Sequence, residues 1–104
     1  MSSTGQPIMA LFDLLGRRWA MRVIWELRGD PSTFRGLQER CAGMSSSVLR
    51  DRLGELREAG IVDLGDDGYQ LTVHGRELLA AYEPLGAWAK RWAARQKRAG
   101  RSAG

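Results

Sequence analysis

A chain of 104 residues with 43% hydrophobic and 27% charged content can build one domain with a modest core, and has no room for two. No apolar run approaches the ~18 residues needed to span a bilayer, no basic stretch leads into an apolar one near the start, and a single cysteine excludes an internal disulfide framework, so a cytoplasmic location is expected. The net charge of +4 is a property of one end: six of the 16 basic residues and no acidic one lie beyond Ala89, leaving 10 basic against 12 acidic residues, a net of −2, in residues 1–89.

Residues 1–7 read as a disordered N-terminus. Ile8, Leu11, Phe12 and Leu15 then recur at spacings of three and four, which predicts a short helix with one apolar face. Two turns are too few to be stable alone, so this face must dock on something. Gly16-Arg17-Arg18 ends it, and Trp19–Arg28 reads as a second helix. Ala20, Val23, Ile24 and Leu27 form one stripe, Met21 and Trp25 a second, and only Arg18, Arg22 and Glu26 make a polar line. A helix this apolar is covered on most sides. Gly29-Asp30-Pro31 stops it, because Pro31 disfavours helix at Asp30. Ser32 or Thr33 can cap a third helix from Phe34 to Cys41, with Phe34, Leu37 and Cys41 on one face and Arg35, Gln38, Glu39 and Arg40 on the rest.

After Ala42-Gly43-Met44, the stretch Ser45 to Gly60 reads as an amphipathic helix with defined ends. Ser45 or Ser46 can cap its start, and Gly60 stands where a left-handed residue closes a helix. Leu49, Leu53 and Leu56 make one stripe that must be buried, and the opposite face carries Ser47, Arg50, Asp51 and Gly54. Such a helix is about 20 Å long at ~1.5 Å per residue and fits a DNA major groove about 12 Å wide. Taken alone it would equally suit a solvated surface helix. Next, Ile61–Leu64 and Tyr69–Leu71, two short alternating runs joined by Gly65-Asp66-Asp67-Gly68, predict a β-hairpin. Helix, glycine-containing turn, second helix, then hairpin is the order of a winged helix-turn-helix. The expected fold is therefore mainly α with a small β-hairpin.

Thr72 can cap a helix running from Val73 to Tyr82, with Leu78, Leu79 and Tyr82 on its apolar side. Pro84 either kinks this helix or starts a new one. Leu85, Trp88 and Trp92 then recur at three and four. Two tryptophans on an exposed terminal helix exceed what this core needs. With Ile8, Leu11, Phe12 and Leu15 they suggest a two-fold interface, so the terminal helices are expected to dimerise. Residues 8–94 are thus one domain, and residues 95–104 a basic, disordered tail.

The assembled elements resemble the HxlR-type winged-helix transcription regulators, relatives of the MarR group. The resemblance runs from about Phe12 to Trp92. It rests on Leu14-Leu-Gly-Arg-Arg-Trp19, Ile24-Trp-Glu-Leu27, Phe34-Arg-Gly-Leu37, and the block Gly43 to Leu53. Leu56 to Val62, Leu71-Thr72 to Gly75, and Trp88 follow at the family spacing. It implies a homodimeric bacterial repressor or activator that places one recognition helix per subunit in successive major grooves. This chain departs from the family pattern in a short acidic wing, in having no cysteine near its N-terminus, and in Asp51 and Gly54 on the groove-facing surface.

Two functions of different class follow. In the first, a DNA-binding regulator, Ser46, Ser47, Arg50 and Asp51 of the segment 46–59 approach bases, and Arg17, Arg18, Arg35, Gln38, Arg40 and Arg52 approach phosphates of double-stranded, pseudo-palindromic DNA. In the second, the fold is a protein-interaction module whose partner covers the tryptophan helix or the recognition face. An enzyme is not expected, for no phosphate-binding glycine loop or paired carboxylates appear. One His74 and one Cys41 cannot assemble a tetrahedral metal site, and no cofactor is expected. Cys41 reads as a small core residue, with a thiol sensor as the alternative. A small-molecule effector could sit near Trp19, Trp25 and Tyr82, although core packing accounts for those residues without a ligand.

Overall fold

The computed structural model describes residues 6–103. Its elements are α1 (Pro7–Leu15), α2 (Ala20–Glu26), α3 (Phe34–Arg40), α4 (Ser46–Glu58), β1 (Val62–Gly65), β2 (Gly68–Leu71) and α5 (Val73–Ala103). The order is that of a winged helix-turn-helix. The disorder expected for residues 1–5 falls outside the described residues, while Pro7 opens α1, where its missing amide is no loss. No described helix is long and apolar enough to cross a membrane.

The helix ends form as their sequences dictate. The Thr33 hydroxyl accepts the Gly36 amide at 3.1 Å and starts α3. Ser45 accepts the Val48 amide at 3.2 Å and starts α4. At the far end of α4, Gly60 turns to φ 77°, and the Gly60 and Ile61 amides donate back to the carbonyls of Arg57 and Leu56. That pair of bonds satisfies carbonyls the helix leaves open and sends the chain into the hairpin.

The core is one cluster. Val23, Ile24 and Leu27 of α2 meet Leu37 and Cys41, the Leu49/Leu53/Leu56 stripe of α4, and Ile61, Val62 and Leu71 of the hairpin. Strands β1 and β2 pair antiparallel in the register Val62↔Leu71 and Leu64↔Tyr69. Ser32 adds a bridge to this hairpin, exchanging backbone hydrogen bonds with Tyr69 at 2.9 and 2.8 Å. Thr72 joins the hairpin to α5: its hydroxyl donates to the Gly60 carbonyl at 2.6 Å and accepts the Gly75 amide at 3.1 Å.

Gly75 is buried where α5 crosses the start of the hairpin, and a Cβ there would stand 2.2 Å from the Ile61 carbonyl oxygen. Backbone on both sides cannot retreat as a side-chain tip can. Gly75→Ala is therefore expected to cost about 3 kcal/mol, the upper end of the usual range for overpacking. Urea unfolding followed by circular dichroism measures it, and a loss under 1 kcal/mol would show that α5 shifts freely.

Several boundaries differ from the sequence expectation; α2, for one, ends at Glu26 rather than Arg28. Trp19 is not in the second helix; it precedes α2 in the left-handed region at φ 77°. Pro84 does not start a new helix, and the helix expected to stop at Tyr82 continues through it as α5. Proline removes one amide donor, but the alanines and long side chains that follow are strong helix formers and carry the helix on. The same propensity extends α5 to Ala103, so residues 95–103, expected as a disordered tail, are helical; residue 104 lies outside the described set.

Candidate nucleic-acid interface

The burial of Leu49, Leu53 and Leu56 decides which face of α4 is free. With that stripe in the core, Ser46, Ser47, Arg50, Asp51 and Gly54 are all exposed on the outer side. Ser45 and Ser47 stand 3.3 Å apart, hydroxyl to hydroxyl, at the leading end. The Arg50 guanidinium lies over the Phe34 ring, 5.5 Å from its centroid, and forms no ion pair among the described residues. The four expected base-reading residues thus share one solvent-facing surface.

The six expected phosphate contacts divide. Arg35, on α3, is exposed and has only a loose 3.9 Å pairing with Glu39. Arg18 lies over Trp19 at 5.5 Å and Gln38 is half-buried on α3. Arg17 is exposed but is held 2.9 Å from Glu55. Arg40 donates to the Ser32 hydroxyl and stands 3.9 Å from Glu26, to which Arg22 is bound at 2.9 Å.

Arg52 differs most from its sequence reading. Its side chain is only 16% exposed; Nε donates to the Arg18 carbonyl at 2.8 Å and Nη1 donates to Glu55. This guanidinium ties α4 to the turn before α2, where its donors face protein rather than solvent. Glu55, which sequence reasoning passed over, accepts from both Arg17 and Arg52; the i,i+3 spacing of Arg52 and Glu55 was the available signal. Arg52→Leu is expected to cost about 1.5–3 kcal/mol, the scale of a hydrogen bond to a charged group. It should leave the salt dependence of DNA binding unchanged. A salt slope lowered by about one unit would instead return Arg52 to phosphate contact.

The wing adds no positive charge. Asp63, Asp66 and Asp67 are exposed along it, so its surface repels phosphate. Lys90, Arg91, Arg95, Lys97 and Arg98 are exposed on α5.

The expected dimer residues fall into two groups. Leu15 packs partly against the core and Leu11 is half-buried, while Ile8 and Phe12 remain exposed on α1. Leu85, Trp88 and Trp92 are exposed along α5, and the two indoles stack at 6.1 Å, within 6° of parallel. Between α2 and α5 runs an open groove of about 730 Å³, lined by Met21, Trp25, Tyr82 and Ala93 among others. Trp25 and Tyr82 reach it, whereas Trp19 packs against the core beside Gly43.

Cys41 is fully buried. Burial chiefly pushes its thiol above the ordinary value, Glu26 adds to this, and Arg22 and Arg40 oppose it. The thiol therefore stays protonated near neutral pH, as a core residue rather than a nucleophile. His74 is exposed, and among the described residues no cluster of His, Cys, Asp and Glu is placed to hold a metal ion.

Comparison with known proteins agrees with this geometry. The HxlR-like helix-turn-helix family matches residues 14–97. The HTH-type transcriptional regulator YodB of Bacillus subtilis is 34% identical over 97 residues, covering 86% of this chain and 87% of that protein. The uncharacterized HTH-type transcriptional regulator MJ0925 of Methanocaldococcus jannaschii is 26% identical over 89 residues, covering 81% and 83%. The crystal structure of quinone-bound YodB superposes with a TM-score of 0.77 at 33% identity, over 81% of this chain and 96% of that one. A MarR-family regulator from Enterococcus faecalis V583 shares the fold, with a TM-score of 0.76 at 22% identity over 93% and 97%. With that match, the exposed α4 surface and the hairpin behind it, the chain belongs to the HxlR-like helix-turn-helix family of transcription regulators.

Proposed function

We propose that the protein regulates transcription as a homodimer whose two α4 helices enter successive major grooves of a pseudo-palindromic operator. The observation that carries this is the outer face of α4: polar, exposed, and bearing an arginine that forms no ion pair among the described residues. Ser46, Ser47, Arg50 and Asp51 face the bases. Arg18, Arg35 and Gln38 contact phosphates, joined by Arg17 and Arg40 where the polyanion outcompetes Glu55 and Glu26. Arg52 holds α4 in place. The acidic wing stays off the DNA backbone. Exposed Ile8, Phe12, Leu85, Trp88 and Trp92 support a second copy of this chain as the partner, since apolar side chains of this size on both terminal helices are what a two-fold interface would remove from water.

Titration against DNA from upstream of the gene, beside a scrambled duplex and at several salt concentrations, tests the reading. Selective binding with log affinity falling by about 0.9 per neutralised phosphate is expected. Equal, weak binding to both duplexes that disappears when residues 95–104 are removed would overturn it and leave the protein-interaction module as the better account.

A further inference from the structure

We propose that Phe34 is a positioning residue for Arg50, and that the hairpin acts through it as a brace for sequence readout rather than as a DNA-contacting wing. The inference rests on the reading of Arg50 as a base contact. An exposed arginine has several rotatable bonds, and a guanidinium that wanders loses much of its bidentate preference for guanine. Here one wall restricts it: the Phe34 ring, 5.5 Å below the guanidinium carbon.

That ring is fixed from below. Phe34 is the first residue of α3, directly after the Thr33 cap. Two residues before it, Ser32 is clamped to Tyr69 of β2 by the 2.9 and 2.8 Å backbone bonds, and its hydroxyl receives Arg40. Gly68 lets the strand come this close, for a Cβ there would stand 2.4 Å from the Ser32 carbonyl oxygen. Phe34 itself packs against the core cluster. Hairpin, Ser32, Phe34 ring and Arg50 therefore form one contiguous support. It gives the short acidic hairpin a part in DNA recognition that its charge denies it by contact.

The test compares Phe34→Leu, Phe34→Tyr, Arg50→Ala and the double variant. Each is titrated against a duplex the protein selects from a randomised pool and against a scrambled one. Phe34→Leu should lower the selected-to-scrambled affinity ratio about two- to fivefold, the scale of an exposed cation–π contact, with scrambled binding unchanged. Phe34→Tyr should retain the ratio. In the Arg50→Ala background, Phe34→Leu should lower it no further. Equal weakening on both duplexes, or additive losses, would overturn the inference. If Arg50→Ala leaves the ratio intact, the base-contact reading falls first. A measurement free of folding effects accompanies these: in the unmutated protein, Arg50 side-chain protons should be shifted upfield by the Phe34 ring current, and random-coil shifts would overturn the contact.

Discussion

The Trp88→Ala/Trp92→Ala double variant is expected to sediment as a monomer at concentrations where the unmutated protein sediments as a dimer. The two indoles are 47% and 49% exposed and stacked in parallel, a large apolar surface facing solvent beside Leu85. Buried tryptophans at interface centres typically cost about 2 kcal/mol or more each on truncation. Two per subunit, doubled by symmetry, amount to about 8 kcal/mol if additive, so the dimer should weaken by up to about a millionfold. DNA affinity should follow, because two separate subunits no longer present their helices as one bivalent unit; a loss on the order of a hundredfold is expected. Velocity sedimentation and DNA titration on the same samples decide it. An unmutated protein that sediments as a monomer would sink the dimer reading outright. A double variant that remains dimeric would move the interface to the groove beside Trp25 and Tyr82.

The second large effect is expected at Arg50. Arg50→Ala should cost about 1–3 kcal/mol on the selected duplex and relax preference at one base position in each half-site. Its side chain is exposed and touches only the edge of the core through Phe34, so thermal stability should change little. Specificity and stability therefore separate at this residue, whereas at Arg52 the loss falls on stability. Competition binding with single-base substitutions, beside a melting curve, reads both. Equal weakening on every sequence would make Arg50 a phosphate contact instead.

Much of the fold was legible in short windows. Leu49, Leu53 and Leu56 announce their buried face by spacing alone, and their burial leaves Ser47, Arg50 and Asp51 outside. Thr33, Ser45 and Gly60 announce helix ends because capping is a local hydrogen-bond requirement. The hairpin followed from two alternating runs around Asp66-Asp67. The proposed interface was less legible: among the arginines, charge marks all of them alike as phosphate ligands. Arg52 is removed from that set by a carbonyl 34 residues away, and Arg17, in the turn before α2, is partnered by Glu55 of α4. No periodicity encodes such distances.

The sequence by itself determined the elements, their order and the inward face of each helix, because these depend on side-chain spacing and on backbone donors within a few residues. It also carried the family, through an ordered set of short motifs. Only the tertiary structure decided which cations stay free, that Trp19 turns left-handed to lie beside Gly43, and that Phe34 lies under Arg50. Each of those depends on groups brought together by packing. Local pattern states what a residue can do; the neighbours it acquires on folding decide which of those things it does.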